Sequence, residues 1–138
     1  MTGSNQRAEL LSLLWIFAML NYLYADVIGL MDASLLRQYL AGRVDAIELT
    51  PGFFFAAAVL MELPIAMVVL SRLLPHRASR WSNVAAGALK TIVVFVTLFV
   101  GTPTAYYTLF AVIEMGCTAL IVALALRWKP PGALRPAA

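Results

Sequence analysis

The chain has a single cysteine, Cys117, and a single histidine, His76. One thiol excludes an intramolecular disulfide and Cys-pair redox chemistry, and the lone histidine leaves no His/Cys metal cluster. There is also no phosphate-binding loop and no nucleophile–base pair, so nothing points directly to an enzyme or a cofactor. Charge is equally scarce: 12% of 138 residues are Asp, Glu, Lys or Arg against 62% hydrophobic ones, and the mean hydropathy is +0.87. That balance lies outside the range of soluble domains and points to a membrane.

What is present is four apolar runs, at about 10–31, 52–74, 82–100 and 104–126, each long enough to cross the hydrocarbon layer as a helix. They leave one substantial loop and two short tails, so the expectation is a single membrane domain over 1–138. The first run contains Asn21 and Asp26 and lacks a small-x-small cleavage site, so it reads as a span and not as a signal peptide.

Net charge is +3, and its distribution sets orientation, with no call for nucleic acid. Arg7, Arg72, Arg77, Arg80, Arg127, Lys129 and Arg135 fall on one side of the four runs, and only Arg37 and Arg43 on the other. The positive-inside rule then places both termini in the cytoplasm. In the external loop, Asp32 can cap a short amphipathic helix over 33–41, closed by Gly42 and lying on the membrane surface. Gly101 ends the third helix, and helices three and four form an antiparallel hairpin.

Two stretches repeat one pattern. Thr50-Pro51 and Thr102-Pro103 are each followed, after ten intervening residues, by a Glu: Glu62 and Glu114. Thr-Pro is a helix start, and roughly 16 Å of helix brings each Glu near mid-bilayer. The expected fold is therefore all-α: a transmembrane four-helix bundle, built as two pseudo-symmetric helical hairpins with the interfacial helix in the first external loop.

Ionisable groups at that depth are costly in lipid and draw attention as functional groups. Asn21, Glu62, Lys90 and Glu114 fall at one depth, one from each helix, so Lys90 should pair with a Glu while the other holds a proton or a cation. Asp26 lies nearer the outer surface, within reach of Tyr106 or Tyr107, where it can line an entrance; Tyr22 neighbours Asn21. The candidate ligand or ion site is thus Glu62, Glu114, Lys90, Asn21, Asp26, Tyr22, Tyr106 and Tyr107. Gly87 permits close helix approach, and Pro64 frees a carbonyl near residue 60.

The stretch 14–26 (LWIFAMLNYLYAD), the stretch 61–67 (MELPIAM), and Lys90-Thr91 followed by 99–104 (FVGTPT) carry a resemblance. They resemble a family of small bacterial four-helix membrane proteins known as a domain of unknown function, over about 10–128. More loosely, the chain is similar to four-helix proteins of the DoxX-like type. The resemblance implies a four-span bundle in the cytoplasmic membrane and supplies no activity.

Three functions compete. The first is binding or transport of a small ligand, cation or proton by Glu62 and Glu114 with Lys90 as counter-ion, in a homodimer or larger homo-oligomer. The second is a membrane-embedded enzyme acting on a lipid-like substrate, and the third an accessory subunit whose acids only hold helices together. The lipid bilayer is the expected surrounding in all three.

Overall fold

The computed structural model describes residues 3–99 and 103–129, and these are helical apart from one small hairpin. Four long helices, α1 (Gly3–Met31), α3 (Pro51–Leu73), α4 (His76–Thr97) and α5 (Ala105–Leu126), are joined by a short α2 (Ala33–Leu40) and the strands β1 (Arg43–Val44) and β2 (Ile47–Glu48). α1 packs on α3 and α5, and α4 packs on α5 and α3, closing a cycle of four helices. Only Leu74 and Pro75 separate α3 from α4, so those two run antiparallel.

Three of the helices, α1, α3 and α5, are long and apolar enough to cross a membrane. The expectation of four is met only in part. α4 is long enough, but its first two turns, His76 to Asn83, are polar and basic, so it falls short in apolar character. It starts at His76 and not at 82, because Pro75 is extended and leads directly into the helix. α1 likewise extends seven residues ahead of its apolar run.

Local signals explain the boundaries. Thr50 accepts the Phe53 amide and Pro51 opens α3, as a helix start requires. Asp32 accepts the amides of Ser34 and Leu35 at the head of α2, and Gly42 follows its end at φ +74°. The sequence did not reveal the hairpin beyond α2. Asp45 turns it at φ +50°, a conformation Asp tolerates, and its amide donates to Gln38 Oε1 at 2.8 Å, pinning the hairpin tip to α2.

The second Thr-Pro copy behaves differently. Thr102 and Gly101 lie outside the described residues, but α5 begins two residues later than the pattern predicts, capped by Thr104 with Pro103 still ahead of the helix. Glu62 therefore sits twelve residues after its cap and Glu114 ten. Two residues turn a helix by about 200°. The two acids therefore do not hold equivalent places in their helices: Glu114 is buried, whereas Glu62 is exposed on α3.

The core runs along the inner sides of α1, α4 and α5, with Trp15, Leu11, Ala18, Ala86, Ala111 and Ile121 fully or nearly fully buried. Gly87 sets the α4–α5 distance: a Cβ there would lie 2.8 Å from Val122 Cγ2 and 3.2 Å from the Thr118 carbonyl oxygen. Thr91 and Thr118 hydroxyls bond across the same contact at 2.7 Å. At one end, Arg7 and Arg80 donate to the Leu124 and Leu126 carbonyls, so two cations meet the free carbonyls that close α5.

Candidate functional site

The face of α4 that carries Asn83, Gly87, Lys90 and Val94 at three- and four-residue spacing is turned into the protein. It places Lys90 at 1% exposure, a fully buried lysine. Its ammonium lies 3.8 Å from the centroid of the Tyr22 ring on α1, where the electron-rich ring face stabilises a cation. From α5, Glu114 is 5% exposed. The Tyr22 hydroxyl lies beside the Glu114 carboxyl, yet neither Tyr22 Oη nor Glu114 Oε1, both buried, completes a hydrogen bond.

These three groups border a cavity of about 160 Å³ between α1, α3, α4 and α5. Leu60 lines it from α3, and its carbonyl loses the usual helical partner because Pro64 has no N–H. Buried polar atoms without partners are rare and each calls for an explanation. Two in one cavity, beside a buried ammonium, mark the polar centre of this molecule.

A second, larger cavity of about 350 Å³ opens beyond it, covered by α2 and the β1–β2 hairpin. Asp26, Asp32 and Asp45 contribute carboxylates, Tyr39, Tyr106 and Tyr107 aromatic rings, and among the described residues no Lys, Arg or His lines it. Asp32 is committed to capping α2 and accepts a long 3.4 Å bond from the Tyr106 hydroxyl. Burial, and then the Asp26 carboxylate, push the Tyr39 phenol above its ordinary range, so it stays a neutral donor. Ala25, Asp26, Thr97 and Tyr107 border both cavities. At that boundary the Tyr107 hydroxyl donates to Thr97 Oγ1 at 2.7 Å, and Thr97 in turn donates to the Val94 carbonyl.

A different polar cluster lies toward the α3–α4 connection. Trp15 Nε1 and Ser71 Oγ both reach Asn83 Oδ1, at 2.7 and 3.1 Å, and the Asn83 amide donates to the Ser79 carbonyl at 2.8 Å. Ser79 donates to the Ser71 carbonyl at 2.9 Å. The cluster's members all find partners, neither of the two cavities is lined by them, and their work is to join α1, α3 and α4.

The structure thus brings together Tyr22, Lys90 and Glu114 at the deep cavity, Tyr106 at the outer one, and Asp26 and Tyr107 at both. It separates Asn21 and Glu62 from them. Asn21 is buried but donates to the Phe110 carbonyl at 3.0 Å, tying α1 to α5 without lining either cavity. Glu62 borders neither cavity and is exposed, on a side of α3 that does not pack into the bundle. The layer of four polar groups therefore reduces to Lys90 and Glu114 with Tyr22. The ion pair expected of Lys90 is also replaced: among the described residues the one salt bridge is Arg72–Glu9 at 3.9 Å, on the surface, and Lys90 rests on an aromatic face instead.

Sequence reading missed Tyr39, Gln38 and Asp45 as wall residues of the outer cavity. Their only signal was membership of a loop with an amphipathic helix, which does not say that the loop folds back over the helix ends. Among the described residues no group of three or more His, Cys, Asp or Glu is placed to hold a metal ion.

An all-helical chain with three helices fit to cross a membrane, and a buried lysine and acid sharing one cavity, defines the class. Residues 2–133 match the model of a family described as a family of unknown function (DUF6326), and the chain belongs to that family. Searches of curated proteins and of solved structures returned no match.

Proposed function

We propose that this is a four-span protein of the cytoplasmic membrane, with both termini inside, that binds and carries a small ligand or cation in a proton-linked manner. α4 is the fourth span. Its polar first turns lie beside Arg72, Arg77 and Arg80, where the cytoplasmic headgroups would solvate them, and its one deeper charge, Lys90, is buried inside the protein. The cycle in which α1 meets α3 and α5, and α4 meets α5 and α3, supports two packed helical hairpins. α2, with its apolar and polar sides, then lies at the outer surface.

The observation that carries the functional reading is the uncommitted Glu114 carboxyl oxygen on the wall of a cavity that shares residues with the outer one. Helix contacts alone do not account for it. A purely structural acid would be saturated, as Asn83 is, because an unpaired buried polar atom costs about 1–3 kcal/mol. A carboxyl held in this way can take up a proton or face a cation, with the Lys90 ammonium on Tyr22 as its counter-charge. Glu114 is the acid of the site, Lys90 its counter-ion, and Asp26 with Tyr107 its entrance.

Purified protein in liposomes tests this. An imposed pH gradient should drive uptake of protons with a small amine or cation, and Glu114→Gln should abolish uptake while the folded protein stays intact, since Gln keeps size and hydrogen bonding but cannot titrate. Wild type that shows no pH-dependent flux across a broad panel of cations and amines, with Glu114→Gln merely less stable, would support the accessory-subunit reading.

A further inference from the structure

The outer cavity has a chemistry of its own. Its charged wall residues are all carboxylates, and two of them, Asp26 and Asp45, have no side-chain partner among the described residues. Three tyrosines from α2 and α5 and the apolar side chains of Leu35, Val44 and Ile47 line it too, with uncharged polar groups of Ser34, Gln38, Thr97 and Thr104 between them. A volume of about 350 Å³ is far more than a bare metal ion needs, and it falls at the lower end of cavities that enclose small organic molecules. Carboxylate plus aromatic face plus apolar wall is the combination that recognises an ammonium group with a hydrocarbon body.

The protein already solves that recognition problem once. One step deeper, the Lys90 ammonium is held on the Tyr22 ring with the buried Glu114 carboxyl on the same cavity wall, and one oxygen of that carboxyl, Oε1, completes no hydrogen bond. Asp26, Thr97 and Tyr107 border both spaces, so an ammonium admitted at the outer cavity meets the deep carboxyl through one boundary, closed by the Tyr107–Thr97 hydrogen bond.

We infer that the outer cavity binds an organic monocation, an amine or quaternary ammonium with a small apolar body, with Asp26 as its counter-charge and Tyr39, Tyr106 and Tyr107 as its aromatic walls. This deepens the functional reading and rests on it for the location of the cavity on the outer face. The carboxylates draw the cation, and the rings favour it over a strongly hydrated inorganic ion of equal charge. Tyr107 lies between this place and Glu114, so release of its bond to Thr97 opens the way inward.

The test is equilibrium binding to detergent-purified full-length protein at fixed ionic strength, by calorimetry. The probes are tetramethylammonium, choline, the neutral isostere 3,3-dimethylbutan-1-ol, and sodium as competitor. Choline or tetramethylammonium should bind at least about tenfold more tightly than the alcohol. Asp26→Asn and Tyr39→Leu should each weaken the cation about tenfold without changing the alcohol, in protein whose thermal transition is retained, and equimolar sodium should not displace it. The inference is overturned if neither cation binds, if the alcohol binds equally, if equimolar sodium displaces the cation, or if folded Asp26→Asn binds as wild type does. Because the readout is binding and not flux, ammonium binding without pH-dependent uptake would defeat the carrier reading alone. Proton-linked uptake without ammonium binding would defeat this inference alone.

Discussion

At the scale of single residues, the two glutamates that look alike in sequence have opposite surroundings. Glu114 is buried among Tyr22, Lys90 and the cavity, while Glu62 stands exposed on α3. Glu62→Gln should therefore leave pH-dependent uptake in liposomes within about twofold of wild type, whereas Glu114→Gln removes it. Equal loss in both variants would mean that Glu62 belongs to the site after all. Asn83 makes a separate prediction. Its side-chain oxygen accepts from the Trp15 indole, so Asn83→Ala strands that buried donor, while Ser71 keeps the Met67 carbonyl at 2.6 Å, and should destabilise the protein by about 1–3 kcal/mol. Detergent melting curves would show it, and an unchanged transition would mean that water replaces the lost partner.

At the scale of helices, what was legible in the sequence was whatever depends on local chemistry. The Thr50 and Asp32 caps, the stop at Gly42, and the inward stripe of Asn83, Gly87, Lys90 and Val94 follow from side-chain capping and helical period. The cap of α5 was not legible, because Thr102-Pro103-Thr104 offers two threonines, each able to start a helix, and only the described cap at Thr104 decides the register. That ambiguity broke the equivalence of the two copies, and the exposure of Glu62 follows from which side of α3 packs on α1 and α4, which the repeat does not encode. Gly87 gives this scale its own test. Gly87→Ala pushes a methyl to within 2.8 Å of Val122 and should cost about 1–3 kcal/mol by overpacking α4 against α5. Adding Val122→Ala should recover part of the loss in thermal stability. No recovery would place the clash at the Thr118 carbonyl instead, which a side-chain change cannot relieve.

At the scale of the whole molecule, the apolar runs gave helices long and apolar enough to cross a membrane, but not how the loop between α1 and α3 is used. Folding α2 and the hairpin back over the helix ends makes the acidic, aromatic outer cavity, an arrangement that depends on long-range packing and left no periodic trace. Orientation rests on the uneven basic residues and is checked by labelling. With Cys117 replaced by Ser, Asp45→Cys should react with an impermeant thiol reagent from outside and Ala78→Cys only from inside. The reverse pattern would invert the topology and place the large cavity in the cytoplasm.

The central claim is that a polar passage leads from the outer cavity to Lys90 and Glu114. Ala111→Cys, in the Cys117→Ser background, puts a thiol on the wall of the deep cavity, and Val112→Cys puts one on the exposed side of the same helix. The measurement is their rate of modification by a small, charged, membrane-impermeant methanethiosulfonate added outside intact cells. The account predicts that Ala111→Cys reacts well above Val112→Cys, which it places against lipid, and that choline slows it. An Ala111→Cys variant that folds and stays as unreactive as Val112→Cys would contradict it.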